Sequence, residues 1–177
     1  MISRASLQGQ LLERLYGGDA ASLNRELRRG LSAVPPAARE TSQTKPRGKH
    51  IRYPIGTVVA IPNNGRRVFA TAYSRLGNDL VARARPEDLA SALDRVWESV
   101  ALFGQLAPVA VPVMGSGLSR ITELGPEQLM GMIVGSFLGG CRKHSTLSPA
   151  LRIVLRPADL ERVDMALVAK AMSALDG

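Results

Sequence analysis

A short apolar run that leads into a glycine-rich turn constrains the fold of this chain most strongly. Residues 109–114 are almost all apolar, and a run of this length that ends at a turn is typical of a strand covered on both faces. The turn Gly115-Ser116-Gly117 lacks two Cβ atoms and can take positive φ values, so its N–H groups can converge on an anion. Ligands of open α/β sheets bind beyond the carboxyl ends of strands, and the turn is therefore a candidate phosphate site.

The same turn is equally compatible with a tight strand-to-helix connection that binds nothing. It lacks the Lys-Ser/Thr ending of a P-loop, and no Gly-x-Gly-x-x-Gly follows the first predicted strand. The two commonest nucleotide-binding motifs are therefore absent, and the turn alone leaves both interpretations open.

The balance of charge favours an anionic partner. The 177 residues include 23 Lys or Arg and 15 Asp or Glu, a net charge of +8. Such an excess suits a nucleic acid, an anionic lipid or a phosphorylated small molecule. Aromatic residues make up only 4 % of the chain and are not interleaved with the basic ones, as a platform for stacked bases requires. We therefore expect a small anionic ligand and no nucleic acid.

Cysteine and histidine give no sign of a metal site. Cys141 is the only cysteine, which excludes an intramolecular disulfide and a cysteine-based zinc site. His50 and His144 stand apart beside basic residues, and we interpret both as solvated side chains rather than ligands. The uncharged run 99–119 contains prolines and glycines, so we interpret it as a helix end, loop, strand and turn and not as a membrane span.

Hydrophobic periodicity and capping signals predict one domain over residues 1–177. Helices are expected at 7–15 with Ser6 as N-cap, from 19 or 20 to 29, at 86–103, at 125–138 closed by Gly139-Gly140, and at 157–174. Strands are expected at 57–61, 68–73, 109–114 and 151–155, the first two joined into a hairpin by Asn63-Asn64-Gly65. This order of elements favours an α/β sandwich with a mixed sheet.

The segment 32–52 is rich in Pro, Ser, Thr and basic residues and poor in large apolar side chains. Because it has little to bury, we predict a long mobile loop whose amide hydrogens exchange quickly. Its basic half is suited to fold over an anionic ligand, and equally to serve only as a solubilising connector.

Three short stretches share their pattern with a known family. They are Tyr53-Pro54-Ile55-Gly56-Thr57-Val58, the run 112–121 and, more loosely, Ser6-Leu7-Gln8-Gly9. The run 112–121 carries the order Pro-x-x-Gly-x-Gly-Leu that is found in macro domains. The sequence resembles these domains, and most of all the macro domain of Thoeris anti-phage defence proteins. The resemblance implies a macro-domain-like three-layer α/β/α sandwich with a mixed central sheet.

The resemblance also implies a cleft in which two loops hold the diphosphate of ADP-ribose. N–H groups at a helix N-terminus, where the helix dipole favours anions, would form one side, from Ser6, Leu7, Gln8 and Gly9. The glycine-rich loop would form the other side, with Met114, Gly115, Ser116, Gly117 and Leu118, and with Ser119 and Arg120 at the rim. The distal part of the cleft would be lined by Tyr73, Ser74 and Arg75.

By the same resemblance, the chain is expected to be a sensor and not an enzyme. The implied ligand is ADP-ribose or an ADP-ribose conjugate, an NAD-derived signal made by a TIR-domain enzyme, with no further cofactor. Binding would activate a defence effector, with ligand-driven oligomers as a further expectation. An ADP-ribosyl hydrolase is the alternative, but no paired carboxylates stand out near the turn and Ser116 has no evident base. A basic nucleic-acid-binding module is a weaker alternative that depends on the charge alone.

The family usually has a strand and an Asn-rich turn before the first helix, whereas this sequence reaches that helix almost at Met1. We therefore expect that the first strand is lacking because the chain was cut from a longer protein. That parent would carry a transmembrane region upstream, as some Thoeris effectors do, anchored in the inner membrane with the macro domain in the cytoplasm.

Overall fold

A computed structural model describes residues 6–117, 121–144, 147–161 and 163–173, without the side chains of residues 158, 171 and 172. The helices are α1 (Leu7–Tyr16), α2 (Ala20–Leu31), α3 (Pro86–Phe103), α4 (Pro126–Lys143), α5 (Pro157–Leu160) and α6 (Met165–Ser173). The strands are β1 (Ala38–Arg39), β2 (Ile51–Arg52), β3 (Val58–Asn63), β4 (Arg66–Thr71), β5 (Arg75–Leu76), β6 (Ala82–Arg83), β7 (Val109–Pro112) and β8 (Leu151–Val154).

The first three helices begin where their capping residues predict. The Ser6 hydroxyl accepts a hydrogen bond from the N–H of Gly9 at 3.0 Å, and α1 ends at Gly17, whose φ of 55° is left-handed. The Asp19 carboxylate accepts two N–H groups in the first turn of α2. Pro86 occupies the first turn of α3, where a missing N–H costs nothing. These predictions are confirmed.

The predicted hairpin is confirmed with slightly shifted ends. Asn63 pairs with Arg66, so the turn consists of Asn64 and Gly65. Their φ values of 43° and 75° are the positive values that a two-residue hairpin turn requires. β4 ends at Thr71, two residues earlier than predicted.

The hairpin lies between two helical layers. Because successive side chains of a strand point to opposite faces, Val59 and Ile61 pack with Leu23 of α2, whereas Val58 and Phe69 belong to the core around α3. α2 lies so close to β3 that a Cβ at Gly30 would collide with a methyl group of Val59. The α/β fold class is confirmed, with α1 and α2 on one face of the hairpin and α3 on the other.

The main core is formed where α3 packs on α4. Trp97 is only 1 % exposed, and its indole N–H donates a hydrogen bond to Ser136 at 3.0 Å. Its ring meets Phe137 edge to face, with 5.3 Å between centroids. The prediction that Gly139-Gly140 ends α4 is wrong, because the helix continues to Lys143. Gly140 instead lies against Trp97, where a Cβ would be 3.1 Å from the tryptophan Cβ.

The strand β7 differs from its prediction. It pairs in parallel with β8, and the described strands pair two by two: β1 with β2, β3 with β4, β5 with β6 and β7 with β8. Val111 is buried, but Ala110 on the opposite face is exposed, and so is Val154 of β8, which pairs with Pro112. The expectation of a strand covered on both faces inside a sheet is therefore wrong. Pro112 explains this in part, since a residue without an N–H is confined to edge strands.

The last predicted helix is interrupted. α5 and α6 occupy parts of 157–173, and the predicted end at residue 174 lies outside the described residues. The Asp164 carboxylate caps α6 by accepting the N–H groups of Ala166 and Leu167 at 2.9 and 3.1 Å. The N–H of Asp164 donates to Glu127 at 2.9 Å, which attaches the start of α6 to α4.

The segment 32–52 has more anchors than its composition indicated. β1 and β2 pair within it, and Lys45 is only 3 % exposed. The Lys45 ammonium donates to the carbonyl of Leu76 at 2.8 Å and lies 3.8 Å from Glu40. The amide of Asn78 donates to the carbonyl of Thr44 at 2.9 Å. The premise that the segment has little to bury is wrong at Lys45, whereas its mobility stays a prediction.

Candidate functional site

The glycine-rich turn follows β7 and is held at both ends. The Ser116 hydroxyl donates to the carbonyl of Val113 at 2.7 Å, and the N–H of Ile121 donates to the carbonyl of Gly115 at 2.9 Å. Ile121 is 1 % exposed and belongs to the main core. The structure therefore fixes the approach to the turn and the exit from it. Three predicted site residues, Leu118, Ser119 and Arg120, lie outside the described residues.

The two glycines of the turn differ in environment. Gly115 is buried at a φ of 86°, and a Cβ there would lie 3.0 Å from Ile121 and 3.3 Å from Leu129. Gly117 is exposed, and a Cβ there would have no neighbour within 4 Å among the described residues. The positive φ that the sequence suggested for this turn occurs at Gly115 and not at Gly117. Gly115 therefore shapes the turn, whereas Gly117 leaves an accessible backbone surface.

The stretch Tyr53–Val58 forms a tight turn that seats the hairpin on α3. Gly56 has a φ of 83°, and its N–H donates to the carbonyl of Ala72 at 2.8 Å. A Cβ at Gly56 would lie 3.0 Å from the side chain of Arg95 in α3. The Thr57 hydroxyl closes the turn by donating to the carbonyl of Pro54 at 2.8 Å. Packing alone therefore accounts for glycine and threonine at these two positions.

The predicted distal residues follow β4. Tyr73 is half-buried and packs against the core that Met114 also contacts. Ser74 is half-buried as well. Arg75 forms an ion pair of 2.6 Å with Asp88 in the first turn of α3, although its own side chain is 56 % exposed. Tyr73 and the start of the glycine-rich turn thus pack against the same core, whereas Arg75 is paired with α3 through Asp88.

The other predicted side of the cleft lies on α1. Ser6 caps the helix, Leu7 and Gln8 are exposed, and Gly9 is buried. The apolar side chains of α1 pack on the cluster of Leu23, Val59 and Ile61, on the outer face of the hairpin. The glycine-rich turn lies instead on the core between α3 and α4. That the two segments face each other across one ligand stays a prediction.

Ser116 of the turn and Cys141 of α4 are candidate nucleophiles, and both are poorly suited to that role. Burial raises the pKa of the Cys141 thiol, so the thiolate is disfavoured near neutral pH. The Ser116 hydroxyl is occupied as a donor to a backbone carbonyl. Glu123, the carboxylate nearest the turn in sequence, is exposed. Among the described residues, neither Ser116 nor Cys141 is hydrogen-bonded to a base that would activate it for attack.

Two features are absent from the residues that the structure describes. No group of three or more His, Cys, Asp or Glu side chains in the described ranges is arranged to hold a metal ion. Within the same ranges, none of the helices combines the length and the apolar character that crossing a membrane demands.

The layered α/β fold and the glycine-rich turn after β7 are those expected of a macro domain. The sequence matches the family described as Thoeris protein ThsA, Macro domain, over residues 1–156, and the chain belongs to that family. It is similar to Thoeris protein ThsA of Bacillus amyloliquefaciens (strain Y2), with 25 % identity over 141 residues. The match covers 77 % of this chain and 45 % of that relative, so the chain spans less than half of the relative's length. The resemblance drawn from the sequence motifs is confirmed.

Proposed function

We propose that this macro domain is the sensor of a nucleotide signal in anti-phage defence. It binds ADP-ribose, or a conjugate of ADP-ribose derived from NAD, and the bound state activates an effector region of the parent protein. The observation that carries this proposal is the turn after β7, in which Gly115 is fixed by packing and Gly117 presents open backbone. Membership of the Thoeris family supports the defence context.

The turn suits a diphosphate for a physical reason. A phosphate oxygen must come within about 3 Å of a backbone N–H to bond to it, and a side chain on the backbone would obstruct that approach. A Cβ at Gly117 would have no neighbour within 4 Å in the described part of the chain, and Gly115 is held by contacts with Ile121 and Leu129. The backbone therefore needs little rearrangement to receive an anion, which lowers the entropic cost of binding.

Binding without turnover follows from the same residues. A hydrolase needs a base or an activated nucleophile within hydrogen-bonding reach of its substrate. Ser116 donates to Val113, and the Cys141 thiol is kept protonated by burial. The signal would be supplied by a TIR-domain enzyme acting on NAD, and its arrival could drive assembly of several copies of the chain.

Calorimetry with ADP-ribose tests the proposal. We expect saturable binding to the wild-type chain and loss of binding in Gly117→Val, because a branched side chain fills the space beside the turn. Gly139→Ala is the matched control, since Gly139 is exposed and a Cβ there also meets no described atom within 4 Å. Each charge-assisted hydrogen bond that is lost costs roughly 1.5–3 kcal/mol, which is at least tenfold in affinity.

Three outcomes contradict the proposal. Wild-type affinity in a folded Gly117→Val variant would place the phosphate site elsewhere. Conversion of an ADP-ribosylated substrate, detected by chromatography after incubation, would favour the hydrolase. An oligonucleotide that binds more tightly than ADP-ribose, with a steep dependence on salt, would favour a nucleic-acid module.

A further inference from the structure

A concave surface lies where the end of α2 meets the pair β1–β2, and the described residues of the glycine-rich turn are not part of its lining. It is a groove of about 380 Å³, within the size range of small-molecule sites. Its walls include Arg28, Leu31, Pro36, Arg39, Ile51 and Tyr53. None of these residues belongs to the predicted ADP-ribose cleft.

The charge of this groove is positive, and the part of the chain that the structure describes does not neutralise it. Arg28 and Arg39 are exposed, and among the described residues neither side chain has a hydrogen-bond or ion-pair partner. The carboxylates nearest in sequence are already engaged, since Glu26 pairs with Arg29 at 3.7 Å and Glu40 pairs with Arg52 at 2.9 Å. Among the described residues that line the groove, none is a carboxylate.

The groove lies at the C-terminus of α2, where the helix dipole disfavours anions, but the arginines outweigh this effect. A helix end carries about half an elementary charge, against two full charges on the guanidinium groups. The last turn is also partly satisfied, because the hydroxyl and N–H of Ser32 both donate to the carbonyl of Arg29 and the N–H of Val34 donates to the carbonyl of Leu31. The net field in the groove therefore attracts anions.

The remaining walls are flat and apolar. Tyr53 is half-buried, and its hydroxyl has no hydrogen-bond partner among the described residues. Ile51 is 42 % exposed. Pro35 and Pro36 add rigid faces that lose no side-chain entropy when a ligand covers them. A planar ring can lie against such walls while a charged group reaches the arginines.

We propose that this groove is a second ligand site, which binds a phosphorylated nucleoside. Arg28 and Arg39 hold the phosphate, because guanidinium groups donate paired hydrogen bonds to phosphate oxygens. The base lies against Tyr53 and Pro36. The proposal is independent of the sensor function, since none of the residues that line the groove belongs to the predicted ADP-ribose cleft.

ADP is the probe that tests this site, measured by calorimetry and by amide chemical shifts in the Gly117→Val background. We expect binding of one ADP per chain in that background, with shift changes at residues 28–39 and 51–53. The variant Arg28→Ala/Arg39→Ala should weaken ADP at least tenfold. Arg29→Ala is the matched control, because Arg29 is the next residue of α2, is 80 % exposed and does not line the groove. It should change the affinity less than twofold.

Two further probes separate the parts of the ligand. Tyr53→Ala should weaken ADP at least fivefold and leave inorganic phosphate unchanged, and adenosine alone should bind at least tenfold more weakly than ADP. Equal weakening of ADP by Arg29→Ala would overturn the proposal, because the attraction would then be general to the basic helix. Absence of ADP binding at millimolar concentration in the Gly117→Val background would overturn it as well. ADP-ribose that binds fully in that background would count against the proposed site at the turn. Arginine substitutions that do not change binding would count against the groove.

Discussion

Gly140 is predicted to be a packing residue whose replacement by alanine destabilises the fold. Glycine inside a helix normally costs stability, so its replacement by alanine should help unless the new methyl group collides with a neighbour. At Gly140 a Cβ would lie 3.0 Å from a methyl carbon of Leu147, and 3.1 and 3.2 Å from Cβ and Cγ of Trp97. The neighbouring Gly139 lies on the exposed side of α4, where a Cβ meets nothing within 4 Å.

The magnitude follows from two opposing effects. Alanine in place of glycine in a helix gains roughly 0.5–1 kcal/mol. Insertion of a methyl group into a filled core costs about 1–3 kcal/mol, and Trp97 cannot retreat freely because its indole N–H is bonded to Ser136 and its ring contacts Phe137. We therefore expect Gly140→Ala to lower the free energy of unfolding by ~0.5–2 kcal/mol, and Gly139→Ala to raise it by ~0.5–1 kcal/mol.

Urea unfolding followed by tryptophan fluorescence measures both changes, since Trp97 is the only tryptophan. The two variants should move the transition midpoint in opposite directions with little change in slope. If Gly140→Ala were as stable as Gly139→Ala, the close approach of α4 to Trp97 would be wrong, and the glycine pair would have to be explained by helix termination after all.

Three more changes test other parts of the fold. Gly115→Ala should cost about 1–3 kcal/mol in thermal or urea unfolding, because alanine is strained at a φ of 86°. Lys45→Met should speed amide exchange across residues 38–52, measured by mass spectrometry, because it removes the bond to Leu76 and with it the buried anchor of that segment. Hydrogen bonds from Arg95 and, as a smaller contribution, from Lys143 of α4 hold the pKa of Glu98 below its ordinary value. The stabilisation by the charged Glu98 is therefore present above the unfolded pKa of about 4.3 and is lost as the pH falls through the lower folded pKa. The difference in melting temperature between wild type and Glu98→Gln should accordingly shrink between about pH 6 and about pH 3.

Elements with local signals were predictable from the sequence. Ser6, Asp19 and Pro86 mark helix starts through interactions within one turn, and the Asn64-Gly65 pair determines the hairpin through its own φ values. Each of these signals acts over a few residues, so no knowledge of the tertiary fold is needed to read it.

Features that depend on distant residues were not predictable. The pair Gly139-Gly140 has the local signature of a helix end, but Gly140 serves close packing of α4 against Trp97 of α3. Lys45 looks like a solvated lysine, and its burial depends on a carbonyl supplied by Leu76. The position of β7 in the sheet likewise depends on which strand lies beside it. The apolar run alone predicted a strand buried on both faces, whereas Ala110 is exposed.

The candidate site shows the same division between local and distant causes. The position of the turn was predictable from the sequence, because an apolar strand runs directly into glycines. The different roles of the two glycines were not, since they depend on Ile121 and Leu129, which would contact a Cβ at Gly115 but not one at Gly117. Among the motif glycines at 56, 115 and 117, packing explains the first two, since a Cβ at either position would press on a neighbouring side chain. Gly117 has no such neighbour within the described part of the chain and does not adopt a positive φ. None of the described contacts therefore requires glycine at this position, and we expect a requirement for glycine there to come from a ligand that approaches the backbone.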